Sequence, residues 1–449
     1  MWKGIKKFGE QLFLTNRFFG LMVSIIGFFV LGHFFNLFYS IAEFSLLVLV
    51  ALLFLDILLL FNSPPNPVFA IREIAARMSN GDENPVKLFL RSNYRFKVKL
   101  IVIDEIPAQF QDRNFEKQIW IESQQENTLL YKLYPVKRGE YLFGKINVFV
   151  QSELGLTKRR FKFEEEKIVA VYPSFIQMRK YELLAISNRL TEVGIKKIRR
   201  ISNHNEFDQI REYVKGDDFR TVNWKATARK SQLMVNQYQD EKSQQVYSVI
   251  DMGRNMKMPF EGMTLLDYAI NTSLVISNIA MYKQDKAGLV TFNQKVNAIV
   301  PAFRKKSHIT TIMETLYKQT TSFKEASYEA LYATIKRKIT QRSLLLLYTN
   351  FEALPSLERQ LKFFKQLAKS HLLVVIFFDN TEINKLLSTR PADTEEIYIK
   401  AIAEKFKFEK KQIVKELIKH GVHAILSEPQ QLSVNTINKY LELKARGLI

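Results

Sequence analysis

Residues 245–255 read QVYSVIDMGRN. The apolar run 246–250 ends in an acid, a glycine and an asparagine at alternate positions, namely Asp251, Gly253 and Asn255. A short apolar run that is closed by turn residues is typical of a buried strand in a parallel sheet. In open sheets of this kind, ligands bind beyond the carboxyl ends of the strands. The stretch therefore predicts a strand that ends at a binding site.

The chain on either side of this stretch predicts an α/β domain. Helical patterns at 265–282, 304–318, 329–339, 357–369 and 408–419 alternate with apolar runs at 287–292, 344–349, 372–378 and 422–426. That alternation predicts a doubly wound sheet with right-handed crossovers over residues 245–449. Residues 174–244 are interpreted as linker helices that precede it.

The end of the first strand resembles the von Willebrand factor A domain, whose metal site has the form Asp-x-Ser-x-Ser. The resemblance implies oxygen ligands around Mg²⁺, with one position open for a partner's carboxylate. Here Asp251 is present, Gly253 has no hydroxyl, and Asn255 offers an amide oxygen. The second acid of that family is replaced by residues 348–350, and Ser327 is the candidate for its distal threonine. Either Asp251 and Asn255 hold Mg²⁺ weakly, or Asp251 caps the turn and binds no metal.

The composition of the chain narrows the classes of function. A chain of 449 residues is long enough for two or three domains. Its formal net charge of +21 favours an anionic neighbour, either nucleic acid or a lipid headgroup surface. The sequence has no cysteine, which excludes disulfides and thiolate metal sites, and its glycines form no P-loop.

Two apolar runs at 18–38 and 44–61 predict a transmembrane helical hairpin within residues 1–67. Basic residues flank the hairpin, and the turn predicted at 39–42 has none. The positive-inside rule therefore places both termini and the domains after residue 62 in the cytoplasm. Asp56 in the second run is expected to reach the membrane interface or to pair across the hairpin.

Residues 68–173 predict a β-sandwich-like domain. Short runs rich in β-branched and aromatic residues lie at 86–90, 96–103, 118–122, 129–133, 141–149 and 167–171. Nothing in this segment indicates catalysis, so its expected roles are spacing and the presentation of an interaction surface.

Residues 206–229 read EFDQIREYVKGDDFRTVNWKATAR and form the most distinctive stretch of the chain. A turn is predicted to precede a helix that starts near Phe219, with Asp217 as its cap. Arg220 and Trp224 are four residues apart, so we expect the guanidinium to lie over the indole. The stretch is either an active site or a polar latch, meaning contacts that fix this helix against the following domain. The latch is the expected interpretation, because no nucleophile–base pair accompanies the stretch.

This pattern resembles the domain of unknown function 58 family, bacterial and archaeal proteins with an A-type domain. The likeness rests on Glu206, Phe207, Arg211, Tyr213, Gly216, Asp217, Arg220, Trp224, Ala228 and Arg229. It extends to 104–107, 134–135, 138–139, 155–156, 171–173, 251–254, 440–444 and 446–447. The resemblance implies anchoring in a bacterial plasma membrane, a gene often beside one for a MoxR-type AAA+ ATPase, and no settled activity.

Three classes of function remain as hypotheses. The expected one is a non-enzymatic, membrane-tethered scaffold or adaptor whose A-type domain binds a protein partner. That partner would be a MoxR-type ATPase in envelope protein assembly or maturation. The second is a metal-dependent hydrolase in which Asp217, Asp218 and Asp251 surround a cation and activate water. The third is a nucleic-acid-binding membrane protein, although the basic residues are dispersed and anionic membrane lipid is a nearer partner.

Overall fold

The chain divides into two compact units, Met1–Tyr172 and Pro173–Ile449. The computed structural model describes residues 9–62, 64, 66–112, 115–163, 166–186, 194–195, 205–214, 217–240, 243–351, 353–391 and 393–449, without the side chains of 205–208 and 237–240. The prediction of a multi-domain chain, with an apolar helix near its start followed by β-rich and α/β parts, is confirmed.

Two apolar helices, α1 (Asn16–Gly32) and α2 (Asn36–Phe61), lie near the start of the first unit. Helix α2 has 26 residues and is long and apolar enough to cross a membrane, whereas α1 is apolar but has 17 residues. The turn predicted at 39–42 is wrong, because the chain already reverses after Gly32. A Cβ on Gly32 would lie 2.8 Å from the backbone nitrogen of Tyr39, so glycine permits the close approach of the two helices.

The other described residues of the first unit are mainly β structure, arranged in three sheets with the strand orders β1-β10-β9-β5-β6, β3-β11-β8 and β2-β4-β7. The strands are β1 (Leu12–Leu14), β2 (Val68–Glu73), β3 (Arg77–Ser79), β4 (Asn84–Ser92), β5 (Val98–Asp104), β6 (Lys117–Ile121), β7 (Glu126–Leu133), β8 (Gly139–Phe143), β9 (Ile146–Gln151), β10 (Thr157–Phe163) and β11 (Lys167–Tyr172). Buried and exposed residues alternate along β4, so Val86, Leu88 and Leu90 face the core. The single strand predicted at 141–149 is two strands, because the chain turns at Gly144.

Asp56 of α2 holds this helix to the β structure. Its carboxylate is buried and accepts hydrogen bonds from the backbone N–H of Leu156 at 3.0 Å and of Thr157 at 2.7 Å. The hydroxyls of Thr157, at 2.9 Å, and of Ser152 also donate to it. The expectation that Asp56 pairs across the helices is therefore wrong, since its partners belong to the loop between β9 and β10.

The second unit is built on one six-stranded sheet with the order β18-β17-β14-β19-β20-β21. Its strands are β14 (Gln245–Asp251), β17 (Lys286–Phe292), β18 (Val296–Phe303), β19 (Leu344–Tyr348), β20 (Leu372–Phe378) and β21 (His423–Ser427). The longer helices are α3 (Phe175–Ile186), α5 (Leu265–Tyr282), α6 (Lys306–Tyr317), α7 (Tyr328–Lys338), α8 (Leu354–Ser370), α9 (Thr381–Ser388), α10 (Thr394–Lys419) and α11 (Leu432–Ala445). Apolar cores lie on both faces of the sheet, with α5 and α11 on one face and α7, α8 and α10 on the other. The predicted doubly wound arrangement is present.

Strand β14 lies in the middle of this sheet and pairs in parallel with β17 on one side and β19 on the other. The chain passes from β14 to β17 and later returns to β19, so the strand order switches next to the end of β14. The antiparallel edge strand β18 was not predicted. Its apolar residues do not alternate regularly along the strand, and of its eight residues Val300 and Ala302 are the buried ones.

Two short ribbons complete the unit. Strands β12 (Asn205–Glu212) and β13 (Met234–Asp240) pair antiparallel, and the short helix α4 (Trp224–Lys230) lies in their connection. Strands β15 (Pro259–Phe260) and β16 (Met263–Thr264) form a hairpin before α5. The segment interpreted as linker helices is thus partly a β-ribbon.

Candidate functional site

Asp251 lies at the carboxyl end of β14, beside the switch in strand order. Its side chain is buried, and the residue is 4% exposed. Its Oδ1 accepts the backbone N–H of Gly253 at 2.7 Å. Its Oδ2 accepts hydrogen bonds from the hydroxyls of Tyr328 at 3.0 Å and Thr349 at 2.8 Å. The chain itself therefore supplies the partners of both carboxylate oxygens.

The three side chains form a closed ring of polar contacts. The hydroxyl oxygens of Tyr328 and Thr349 lie 2.6 Å apart, so each of the three groups contacts the other two. Three such contacts need three protons, and the two hydroxyls supply two. Burial raises the pKa of Asp251, and burial together with the nearby carboxylate raises that of Tyr328 well above its ordinary value. With one proton each, the two hydroxyls cannot both donate to Asp251 and also to each other.

The residues at this end of the sheet do not fit the predicted Mg²⁺ site. Asn255 donates its amide to the carbonyl of Asn350 at 3.2 Å. A Cβ at Gly253 would lie 3.0 Å from Oδ1 of Asp251 and 3.2 Å from Cβ of Ala326, which leaves little room for a serine. The described residues contain no group of three or more histidine, aspartate or glutamate side chains that could hold a metal. Hard cations require several converging oxygens. Here the oxygens of Asp251 already accept hydrogen bonds from the chain, and Glu325, which lines the same pocket, pairs with Arg359 at 3.6 Å.

Tyr328 of the ring escaped prediction, whereas Thr349 lies within residues 348–350, which the sequence placed at this site. Ser327, the candidate for the distal threonine, instead caps α7 by accepting the N–H of Ala330 at 3.3 Å. The next residue, Tyr328, carries the hydroxyl that reaches Asp251. A tyrosine at the first turn of an amphipathic helix usually indicates core packing, and nothing in the sequence shows that its hydroxyl meets an acid 77 residues away.

The second candidate site is the ribbon that contains residues 206–229. Arg211 and Asp217 form a bidentate ion pair, with Nη2 to Oδ1 at 2.8 Å and Nη1 to Oδ2 at 2.9 Å. Asp217 also accepts the backbone N–H of Val214 at 2.9 Å. The hydrogen bonds from Arg211 are the main cause that lowers the pKa of Asp217. The ion pair closes the turn that leaves β12.

The predicted cap of this segment is corrected. Asp218, not Asp217, is the capping residue, and its carboxylate accepts the N–H of Arg220 at 2.9 Å. It caps the 3₁₀ turn Phe219–Thr221, whereas helix α4 begins only at Trp224 and is capped by Asn223. Arg220 and Trp224 therefore lie on different elements. No cation–π contact joins them in the described part of the chain.

The described contacts of the motif residues lie mainly within the ribbon itself. The ring of Tyr213 contacts that of Phe219 at 5.2 Å, and the Asn223 amide donates to Asn236 of β13 at 2.8 Å. Arg229 lies in the last turn of α4 and is exposed. Gly216 and the side chain of Glu206 lie outside the described residues.

The ribbon also presents apolar side chains to solvent. Trp224 is 69% exposed, Phe219 is 64% exposed and Val214 is 61% exposed. Exposed Lys225 and Lys230 accompany Arg220 and Arg229 in the same connection between β12 and β13. The acids proposed for hydrolysis do not act as one group here, because Asp217 pairs with Arg211, Asp218 caps a turn and Asp251 is buried in the ring.

Comparison with known proteins gives a family match for part of the chain. Residues 209–386 match the model described as protein of unknown function DUF58. The chain is 28% identical over 179 residues to the uncharacterized protein YeaD of Bacillus subtilis, an alignment covering 38% of this chain and 44% of that protein. The chain thus aligns with less than half of the length of this relative.

Solved structures are similar only at a low level. The conserved hypothetical protein BatB from Bacteroides thetaiotaomicron has a TM-score of 0.31 and 12% identity, covering 45% of this chain and 98% of that one. A PapD-like domain of human CEP192 has a TM-score of 0.19 and 13% identity, covering 25% of this chain and 91% of that one. Scores this low identify neither a fold nor a function.

Proposed function

Since its residues 209–386 belong to the DUF58 family of unknown function, we propose that this chain is a membrane-tethered scaffold or adaptor that binds a protein partner and catalyses no reaction. The observation that carries the proposal is the exposed apolar surface of the ribbon, formed by Val214, Phe219 and Trp224. Tryptophan and arginine are the residues most enriched at the energetic centres of protein interfaces. A tryptophan exposed to this extent in the signature segment of a domain is better explained by a partner than by folding.

The proposal includes the architecture implied by the sequence. Helices α1 and α2 would form a two-span hairpin, with both termini and the second unit in the cytoplasm of a bacterium. The second unit would be a von Willebrand factor A-like domain. The position of Asp251 at the end of a central strand supports this likeness. The closed ring around Asp251 favours partner binding that does not depend on Mg²⁺.

The bidentate ion pair gives the ribbon a fixed shape. Arg211 and Asp217 join the end of β12 to the turn that carries Phe219. A fixed surface loses less conformational entropy on binding than a flexible one. We therefore interpret the motif as a structural latch within the ribbon that presents Trp224 to a partner. A MoxR-type AAA+ ATPase that acts on envelope proteins is the partner class we propose.

Photo-crosslinking in native membranes tests this function. A photoreactive benzoyl-phenylalanine replaces Trp224 in the full chain, and Trp120 is replaced in a matched control. Trp120 is a suitable control because it is also exposed and belongs to the other unit. We expect a defined protein adduct from position 224 and none from position 120.

A substitution provides the second arm of the test. Trp224→Ala should reduce capture of the identified partner at least about tenfold while leaving the melting temperature unchanged, since an exposed side chain contributes little to stability. Equal capture by the wild type and by Trp224→Ala would refute the ribbon as the binding surface.

A further inference from the structure

A separate cavity lies beyond the carboxyl ends of β19 and β20. It has a volume of about 300 Å³. Its wall is mainly apolar and includes Phe260, Phe378, Ile383 and Phe406. This volume lies at the lower end of the range of ligand pockets, and an apolar wall with few polar groups is their usual lining. The cavity shares Asn350 with the neighbourhood of Asp251 but does not include that acid.

An exposed apolar stripe on α10 leads into this cavity. Ile399, Ile402 and Phe406 are spaced by three and four residues, so they lie on one face of the helix. All three are exposed, and Ile402 is 55% exposed. Helix α9 packs beside α10 and contributes Ile383 to the cavity wall. In a globular domain, the apolar face of a helix normally packs against the core. This face is exposed instead, so another chain could bind to it.

The rim of the cavity is basic. Lys407 and Lys410 line it, and Lys410 donates a hydrogen bond to the amide oxygen of Asn350. Residues 407–411 contain three lysines and one glutamate. Asp379, the acid of the cavity wall, accepts a hydrogen bond from Asn384 at 3.2 Å. The charge around the opening therefore favours a negatively charged occupant.

We propose that the groove between α9 and α10 binds an acidic segment of a partner protein, with a bulky apolar side chain of that segment in the cavity. The carboxylates that flank this side chain face Lys407 and Lys410. Apolar anchors in pockets and complementary charges at the rim are the common division of roles in peptide recognition. This inference rests on the proposed function, because it names a second contact of the partner, remote in sequence from the ribbon.

The test uses the full chain in nanodiscs of neutral lipid and a fluorescein-labelled peptide. The peptide contains a Phe-Leu pair with two glutamates on each side, and a second peptide has lysines in their place. Fluorescence anisotropy should give a Kd at least about tenfold lower for the acidic peptide. Replacing the Phe-Leu pair by two alanines should abolish binding.

Substitutions test which residues form the peptide-binding site. Ile383→Asp and Lys407→Glu should each weaken binding of the acidic peptide at least about tenfold. Lys405→Glu is the matched control, because it makes the same charge change on α10 at a residue whose side chain is 76% exposed and does not line the cavity. If Ile383→Asp fails to fold, as thermal melting would reveal, Lys407→Glu on the rim still decides the question.

Three results would overturn the inference. These are equal affinity for the two charged peptides, equal losses in Lys405→Glu and Lys407→Glu, and binding of phosphatidylglycerol vesicles by α10 without any binding of the peptide. The peptide reports on the groove and the crosslinker reports on the ribbon, so the two readouts are separate. Peptide binding without adducts from position 224 would therefore reject the ribbon alone, and adducts without peptide binding would reject the groove alone.

Discussion

At the residue scale, Asp251 has the position of a metal ligand but is buried among hydrogen-bond donors of the chain itself. Its oxygens accept three hydrogen bonds from Gly253, Tyr328 and Thr349. Burial raises the pKa of Asp251, while the hydrogen bonds from Gly253, Thr349 and Tyr328 lower it. The described contacts of this carboxyl are with groups of the chain itself, and they organise its neighbours. Its role is to hold the ends of β14 and β19 and the start of α7 together.

We expect Asp251→Asn to be tolerated and Asp251→Ala to be destabilising by about 1–3 kcal/mol, because alanine leaves buried donors without an acceptor. The stability that comes from the raised pKa is fully present below the unfolded pKa near 4 and is lost as the pH rises through the folded pKa. Asparagine does not ionise. The stability of Asp251→Asn relative to wild type should therefore increase between pH 4 and pH 7, as measured by thermal unfolding.

Titration with Mg²⁺ supplies the control for this prediction. The melting temperature of the wild type should not respond to millimolar Mg²⁺. An increase in the wild type that is absent from Asp251→Asn would instead establish a cation site at Asp251.

At the scale of the element, two short connections are fixed by carboxylates. Asp56 joins α2 to the loop between β9 and β10, and Asp217 joins the end of β12 to the turn before α4. The two differ in exposure. Asp56 is fully buried, whereas Asp217 and its partner Arg211 are partly exposed to solvent. The hydrogen bonds to Asp56 should contribute more to the free energy of unfolding, whereas the ion pair of Asp217 should mainly order the ribbon locally.

Removal of the Asp56 carboxylate should loosen the contact between α2 and the β structure. Hydrogen bonds to a charged group contribute roughly 1.5–3 kcal/mol each, so we expect Asp56→Ala to lower the stability of the first unit by at least about 3 kcal/mol. Glu43→Ala is the matched control, since Glu43 is an exposed acid of the same helix. Limited proteolysis should cut Asp56→Ala near residues 152–157, and cutting of Glu43→Ala at the same rate would contradict the assignment.

On acidification, the turn that Asp217 orders in the ribbon should be lost only at a pH below the pKa of an ordinary aspartate. The lowered pKa of Asp217 contributes stability that is present above the unfolded pKa near 4 and is lost as the pH falls through the folded pKa. The protection factor of the Val214 amide, which donates to Asp217, should therefore fall in that range when hydrogen exchange is measured. In Asp217→Asn this amide should be poorly protected at every pH, whereas unchanged protection would show that the ion pair does not order the ribbon.

At the scale of the whole molecule, the proposal of a cytoplasmic partner depends on the proposed two-span topology. Helix α2 satisfies the length and hydropathy of a membrane span by itself, and α1 is shorter. The break between them lies at residues 33–35, and Phe34 there is exposed. This position, rather than Tyr39 within α2, is the place to label the outer end of the proposed hairpin.

Cysteine labelling tests the topology in a chain that has no native cysteine. Phe34→Cys should react with an impermeant thiol reagent added outside intact cells, because the proposed hairpin exposes its turn on that side. Phe323→Cys, at a residue that is 78% exposed, should react only after the membrane is opened. Labelling of Phe323→Cys in intact cells would reverse the orientation and remove the argument for a cytoplasmic partner.

The sequence by itself determined the elements with strong local periodicity. The strand that ends at Asp251, the helix at 265–282 and the alternation that follows were predictable, because continuous apolar runs and amphipathic spacing are local properties. The match of residues 209–386 to the DUF58 model was also predictable from the signature in residues 206–229, since its residue types and spacing are specific. The break after Gly32 was placed incorrectly, because two apolar helices carry no periodic signal that marks their ends.

The tertiary structure alone decided which polar groups meet. Tyr328 and Thr349 reach Asp251 from residues 77 and 98 positions away, and residues 152–157 reach Asp56 from about 100 positions away. Such contacts depend on strand order and on the packing of helices over the sheet, which single-sequence patterns do not encode. The same reason explains why Asp217 pairs with Arg211 and leaves the cap to Asp218. Local spacing allowed either aspartate to cap, and the geometry of the folded ribbon selected one of them.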